Sequence, residues 1–136
     1  MPGVKNRHLI ELDANFIVDF LRGGAAQNRL VEQWARKEVV VQISAVAWAE
    51  VLCGPLDESE AREARNLVAQ VEPFTEADAA LASDLFNGTG RRSRSLADCM
   101  IAAHAIARHA SLATSNARDF RRFEPFHLKV VDNLDF

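Results

Sequence analysis

The chain has 136 residues, of which 49% are apolar and 26% charged, so it has an ordinary globular composition, and its length predicts one domain over residues 1–136. No apolar run approaches the ~20 residues of a membrane span, and the first eight residues lack the apolar core of a signal peptide. The net charge of −3 argues against nucleic-acid binding through bulk positive charge, although a local basic patch remains compatible with it.

Short apolar segments alternate with helical patterns along the chain. The predicted strands are residues 8–12, 38–44, a short extended piece at 72–74, 111–114 and 126–132. The predicted helices are residues 14–22, 27–37, 45–54, 57–71, 75–88, 96–110 and a short one within 115–123. This alternation predicts a three-layer α/β/α sandwich with a central, mostly parallel sheet.

The cysteines and histidines give no sign of a disulfide framework or a zinc site. Cys53 and Cys99 both fall in apolar helical patterns and are predicted to be reduced core residues, with a disulfide as the weaker alternative. The four histidines show no zinc-ligand spacing with them. Free thiols favour a cytoplasmic protein.

Two carboxylates occupy positions that need an explanation. Asp13 stands between the first strand and the first helix, which is also a common helix N-cap position. Glu50 shares a helix face with apolar residues, and a carboxylate on such a face is rarely buried without a partner. Glu50 is therefore expected to pair with an arginine, to lie at a water-exposed edge of that face, or to bind a metal ion. The apolar residues of this face are Ile43, Val46, Ala47, Val51 and Gly54.

Two more acids repeat the pattern further along the chain. Asp98 lies near the start of the apolar helix 96–110, where the helix dipole alone would favour it. Asp119 follows the strand 111–114 and is flanked by arginines, so a solvated ion pair is its alternative role.

Ligands of open parallel sheets bind at the carboxyl ends of the strands, where the predicted fold gathers these four acids. Carboxylates packed together repel each other and raise each other's pKa, which a divalent cation such as Mg²⁺ or Mn²⁺ relieves. A metal ion held by carboxylates supports phosphodiester hydrolysis. The loop 89–95 precedes Asp98 and either binds phosphate through arginines or is merely solvated. Its arginines are Arg91, Arg92 and Arg94.

Four segments follow one another along the chain: "LIELDANFIVDFLRG", "ISAVAWAEVLCG", "RSLADCMIAAHAIARHA" and "SLATSNARDF". In these segments and their order the chain resembles PIN-domain proteins, and specifically the VapC-type toxins of bacterial toxin–antitoxin modules. The resemblance covers residues 9 to 131. One departure is Ala14, since family members often carry Thr or Ser directly after the first Asp.

The resemblance implies a Mg²⁺-dependent endoribonuclease, with Mn²⁺ as a substitute, in which Asp13, Glu50, Asp98 and Asp119 form the acidic cluster. Asp13 and Asp98 would be the direct metal ligands. It also implies supporting roles for Asn15, Thr114 and Asn116. The implied partners are an RNA substrate, a cognate antitoxin that blocks the site, and a second copy in a homodimer, alone or within a heterotetramer or larger assembly. Two alternatives stay open: a metal-dependent DNA or flap nuclease, and a catalytically silent module that binds RNA or protein.

Overall fold

The computed structural model describes residues 8–131, which contain five β-strands, seven α-helices and a short 3-10 helix. The strands are β1 (Leu9–Leu12), β2 (Val40–Ser44), β3 (Gln70–Glu72), β4 (Ser111–Ala113) and β5 (Lys129–Val130). The α-helices are α1 (Ala14–Leu21), α2 (Ala25–Arg36), α3 (Ala45–Cys53), α4 (Glu58–Leu67), α5 (Glu76–Gly88), α6 (Leu96–Ala107) and α7 (Ala117–Phe120). The 3-10 helix is Arg121–Phe126.

The five strands form one sheet in the order β3-β2-β1-β4-β5, and every pairing is parallel. The central strand β1 pairs Leu12 with Ile43 on one side and with Ala113 on the other. Helices flank this sheet, so the predicted α/β sandwich is confirmed. The short β-branched strands suit a sheet that is covered on both faces.

The order in which the chain adds strands to the sheet reverses at β1, with β2 on one side of it and β4 on the other. The connections from β1 to β2 and β3 move towards one edge, and the chain then crosses back to β4 on the other side of β1. Because crossovers between parallel strands are right-handed, α5 and α6 lie on the face opposite the helices that join β1 to β2. This reversal is a topological switch point, where such sheets bind ligands.

Buried apolar side chains hold the helices against the sheet. Ile10, Leu12 and Ile43 are fully buried in the strands, and Phe16 of α1 stacks on Trp34 of α2 with ring centroids 5.4 Å apart. Several helices begin with a side-chain cap that satisfies a free backbone N–H. Ser44 caps α3, as its position predicts, and Thr75 forms a capping box with Asp78 at the start of α5.

Three sequence predictions need correction. The helix predicted over 57–71 ends at Leu67, and β3 takes up Gln70–Glu72 because these residues pair with β2. The last strand is only Lys129–Val130, since the 3-10 helix extends to Phe126. Cys99 is buried as expected, but Cys53 is exposed at the end of α3, and both are free thiols.

None of the helices within residues 8–131 is long and apolar enough to cross a membrane.

Candidate active site

The candidate site lies at the switch point, where the carboxyl ends of β1 and β4 are neighbours. The backbone N–H of Asp13 donates to the Ala113 carbonyl at 2.9 Å, which extends the parallel pairing by one step. The next residue after each strand is polar, Asp13 in one case and Thr114 in the other. Strand pairing itself therefore brings these two side chains together.

Asp13 is both the N-cap of α1 and a residue of the candidate site. Its side chain accepts a hydrogen bond from the Ala14 N–H at 2.9 Å, so it caps α1, and its other oxygen accepts from the Thr114 hydroxyl at 2.8 Å. The residue is only 5% exposed. Burial raises the pKa of Asp13, the hydrogen bonds from Thr114 and Ala14 offset part of that rise, and the charge of Asp98 adds to it.

Thr114 connects Asp13 to the loop that follows β4. Besides its contact with Asp13, its hydroxyl lies 3.2 Å from the Asn15 side-chain oxygen and accepts from the Asn116 N–H at 3.0 Å. The Asn15 oxygen also accepts from the Ser115 N–H at 3.0 Å. The three residues assigned supporting roles by resemblance thus form one hydrogen-bonded group around the β4 end of the site.

Glu50 approaches the site from α3 and is exposed to water, so its carboxylate lies at a water-exposed edge of its helical face. No hydrogen bond or ion pair within residues 8–131 holds its carboxylate. Desolvation raises the pKa of Glu50, and the negative charges of Asp13 and Asp98 raise it further.

Asp98 enters from the first turn of α6 and has a cation beside it. Its side chain is 35% exposed, and one oxygen lies 3.5 Å from a guanidinium nitrogen of Arg122. Burial raises the pKa of Asp98, the charge and hydrogen bond of Arg122 lower it, and Asp119 raises it. Arg122 therefore compensates the negative charge of Asp98 only in part.

Asp119 lies at the outer side of the cluster. It is exposed on α7 and accepts a hydrogen bond from the Asn116 side-chain amide at 2.7 Å, while Arg122 donates to its main-chain carbonyl. The alternative role of Asp119 was a solvated ion pair with a flanking arginine, whereas its carboxylate contacts the Asn116 amide.

A cavity of about 180 Å³ joins three of the four predicted acids. Asp13, Glu50 and Asp98 line it, whereas Asp119 is absent from its lining and reaches it through its charge on Asp98 and its hydrogen bond from Asn116. Its remaining lining residues are Ala14, Asn15, Asn116 and Phe120.

The arginines of the loop 89–95 are outside this cavity. Arg91, Arg92 and Arg94 are all exposed, and the Arg91 guanidinium lies 5.3 Å from the centre of the Phe86 ring. Arg91 and Arg94 adopt positive φ angles of 54° and 69°, which are unusual for residues with a side chain. The arginines therefore border the approach to α6 without entering the site.

Arg122, the cation that contacts Asp98 of the site, was absent from the predicted site residues. Its guanidinium packs 4.4 Å from the centre of the Phe123 ring, and its Nε is buried without a hydrogen-bond partner in the described part of the chain. Its position three residues after Asp119 in a helical segment was the available sequence signal, because residues at this spacing share a face.

The oxygen donors of the cavity suit a hard divalent cation. Within residues 8–131 no three acidic, histidine or cysteine side chains are close enough as they stand to hold an ion together. Mg²⁺ commonly takes only one or two protein carboxylates and completes its shell with water. Buried Asp13 and half-exposed Asp98 fit that pattern, because each carries a negative charge that its own contacts compensate only in part.

Comparisons with known proteins agree with this architecture. The family model described as "PIN domain" matches residues 10–124. Ribonuclease VapC10 of Mycobacterium tuberculosis is 38% identical over 122 residues, which cover 85% of this chain and 89% of that protein. The structure of VapBC-1 from nontypeable Haemophilus influenzae matches with a TM-score of 0.71 at 20% identity, covering 92% of this chain and 98% of the other. VapBC2 from Rickettsia felis, bound to a DNA fragment from its promoter, matches with a TM-score of 0.70 at 20% identity, covering 90% and 97%. The chain therefore belongs to the PIN-domain family, in the branch that contains the VapC ribonucleases.

Proposed function

We propose that this protein is a Mg²⁺-dependent endoribonuclease, the toxin of a VapBC-type toxin–antitoxin system. The observation that carries the proposal is the cavity at the switch point, which Asp13, Glu50 and Asp98 line together. Desolvation raises the pKa of Asp13 and of Glu50, the charge of Asp98 adds to both rises, and the charge of Asp13 adds to that of Glu50. The fold does not separate these like charges, and a bound cation would relieve their repulsion. RNA is the proposed substrate because the relative of 38% identity is a ribonuclease.

In this proposal Asp13 and Asp98 hold the metal directly, while Glu50 and Asp119 act through bound water. Mg²⁺, or Mn²⁺ in its place, would supply an acidified water and stabilise the leaving oxygen of the phosphodiester. Thr114 keeps Asp13 oriented by donating to its Oδ2. Glu50, exposed and with a raised pKa, is the carboxylate placed to accept a proton from the attacking water.

The loop arginines are proposed to hold the RNA backbone on its way into the cavity. An acidic chain needs such a local basic surface, because its net charge of −3 repels nucleic acid. All three are exposed, which suits forked hydrogen bonds to phosphate, although the Arg91 guanidinium already donates to the Asn87 side-chain oxygen. The residues concerned are Arg91, Arg92 and Arg94.

We also propose a cognate antitoxin as partner and a homodimer as the assembly of the toxin, alone or within a larger complex. The structural neighbours from H. influenzae and R. felis are VapBC proteins, which supports the antitoxin. An antitoxin segment that plugs the acidic cavity is expected to carry basic groups. Both cysteines are free, as is usual in a reducing compartment, and a cytoplasmic location is therefore proposed.

The test is cleavage of structured RNAs by the purified protein with and without Mg²⁺ or Mn²⁺. Asp13→Asn and Asp98→Asn should each slow cleavage by about 10²–10⁴-fold, since each removes part of a metal contribution of several kcal/mol. The matched control is Asp84→Asn, which makes the same change on an exposed face of α5. Unchanged rates in both site variants would show that the site is assigned wrongly.

Two further measurements separate the alternative functions. Faster cleavage of DNA or flap substrates than of RNA would favour the DNA nuclease. Absence of Mg²⁺ or Mn²⁺ binding in a calorimetric titration, together with no cleavage, would favour a catalytically silent binding module.

A further inference from the structure

A buried polar network lies directly beneath the cavity and takes no part in the chemistry proposed above. Glu11 of β1 and His104 of α6 are both 0% exposed, and Gln42 of β2 is 5% exposed. The Glu11 Oε1 lies 2.7 Å from His104 Nδ1 and accepts from the Gln42 amide at 2.9 Å. The other ring nitrogen of His104 lies 3.0 Å from the Pro73 carbonyl. One carboxylate oxygen therefore connects two neighbouring strands to α6.

Burying this polar network in the protein core is unfavourable in free energy. Glu11 Oε2 is buried and has no hydrogen-bond partner in the described part of the chain, which leaves a desolvated oxygen uncompensated. Replacing buried ionic groups with apolar side chains of similar volume is often neutral or stabilising. Stability alone therefore gives no reason to keep these three polar residues at this place.

Their position along β1 and α6 gives such a reason. Glu11 and Asp13 point to the same face of the sheet because they are two residues apart in an extended segment, about 7 Å along the strand. Asp98 and His104 are six residues apart on α6, about 9 Å along the helix. Only three residues separate α6 from β4, so the helix packs antiparallel to the strands. Asp98 therefore stands at the level of Asp13, and His104 at the level of Glu11.

The interactions of α6 with β1 act in opposite directions at the level of Asp13 and at the level of Glu11. At the cavity, the carboxylates of Asp13 and Asp98 repel each other, which pushes the helix away from β1. One step deeper, the short contact between Glu11 and His104 holds the helix against the same strand. A hydrogen bond is directional, so it fixes the position of the helix along the strand, whereas apolar packing tolerates small shifts.

We propose that Glu11, Gln42 and His104 are positioning residues that set the distance between Asp13 and Asp98, and through it the affinity of the site for its divalent cation. The inference rests on the proposed function, because it takes these two aspartates as the metal ligands. An ion pair elsewhere on the same helix serves as a comparison: Arg108 contacts both oxygens of Asp78 at 2.9 Å and ties the end of α6 to α5 rather than to β1.

The main experiment compares the full chain with the triple variant Glu11→Met, Gln42→Leu, His104→Leu. This variant removes the whole network at once, so no polar partner of the three is left alone. The Pro73 carbonyl keeps a contact with Arg108 at 3.3 Å. Mn²⁺ affinity is measured by calorimetry, RNA cleavage by initial rates, and stability by thermal unfolding.

The expected result is a melting temperature equal to or above that of the parent, with Mn²⁺ affinity reduced about tenfold and cleavage reduced in parallel. Outer groups that orient metal ligands typically contribute about 10–100-fold to metal affinity. A stable triple variant with unchanged Mn²⁺ affinity would overturn the proposal. Failure of the parent to bind Mn²⁺ would instead overturn the proposed function.

A milder pair of variants covers the case in which the triple variant does not fold. Glu11→Asp keeps the carboxyl group but withdraws it from His104, while Asp78→Asn weakens the comparison ion pair. We expect Glu11→Asp to lose more Mn²⁺ affinity than Asp78→Asn when the two are equally destabilised. Equal affinities at equal stability would contradict a positioning role. Failure of both network variants to fold would also contradict it, because the network would then be a requirement of the fold.

Discussion

Thr114→Val is the substitution that tests the site most directly. Valine has nearly the shape of threonine but lacks the hydroxyl that donates to the Asp13 carboxylate at 2.8 Å. Asp13 is 5% exposed, so water cannot easily replace the lost donor. The Asn116 N–H, which the same hydroxyl accepts at 3.0 Å, is near solvent and can bond to water instead.

The size of the effect follows from the charge of the acceptor. A hydrogen bond to a charged group contributes about 1.5–3 kcal/mol, and the partial exposure of Thr114 favours the lower end of that range. We therefore expect the free energy of unfolding at pH 7 to fall by about 2 kcal/mol. For a chain of this size that corresponds to a decrease in melting temperature of about 8 °C.

The effect should depend on pH in a defined direction. The hydrogen bond from Thr114 lowers the pKa of Asp13, so its removal raises that pKa further above its ordinary value. At pH 7 the lost bond is one to a carboxylate, whereas below the ordinary pKa of Asp13 it is a weaker bond to a neutral group. The stability difference between parent and variant should therefore shrink as the pH falls, and the acid limb of RNA cleavage should move to higher pH.

The assay is thermal unfolding of the metal-free proteins from acid to neutral pH, with Thr114→Ser as the matched control that keeps the hydroxyl. Thr114→Ser should follow the pH dependence of the parent. Equal stability losses in the serine and valine variants, or a valine effect that does not vary with pH, would refute the argument.

The acidic cavity and the arginines around it give three further expectations. Desolvation and neighbouring charges raise the pKa of Glu50, so the stability of the metal-free protein falls as the pH rises through this raised pKa. Glu50→Gln should therefore raise the melting temperature of the metal-free protein at pH 7. The increase should be smaller at high salt, where the repulsion is screened. Arg122 lowers the pKa of Asp98, so Arg122→Gln should move the titration of that carboxyl, followed by carbon NMR, to higher pH; an unchanged titration would contradict the 3.5 Å contact. Glutamine in place of the loop arginines should raise KM for RNA and leave Mn²⁺ affinity unchanged. The slope of log RNA affinity against log salt concentration should become shallower by up to about 2, since each phosphate contact contributes roughly 0.7 to that slope. The loop arginines are Arg91, Arg92 and Arg94.

The fold could be predicted because its signals are local. Ser44 and Thr75 start the helices that their types favour, and short β-branched segments form the strands. The error at β3 has a physical cause: Gln70 and Val71 continue a helical pattern, but pairing with β2 provides hydrogen bonds that the pattern cannot show. Cys53 was misplaced because the helical face alone does not tell whether another element covers it.

The candidate site could be predicted only in outline. Strand ends and inward helix faces identified Asp13, Glu50 and Asp98, which line one cavity. The same reasoning placed Asp119 with them, although it lies outside the lining, because α7 is a single turn whose direction depends on tertiary contacts. Glu11 and His104 could have been noticed as polar residues in apolar segments, but their contact links residues 93 positions apart.

The departure at Ala14 shows why a local motif is an incomplete description of such a site. The resemblance implies a hydroxyl directly after Asp13, and alanine cannot supply one. In the structure Asp13 receives its hydroxyl from Thr114, which is 101 residues away in sequence but adjacent through the pairing of β1 and β4. The orientation of the buried aspartate therefore depends on strand pairing at the switch point. A substitution that loosens β4 should for this reason weaken metal binding even where it touches none of the acids.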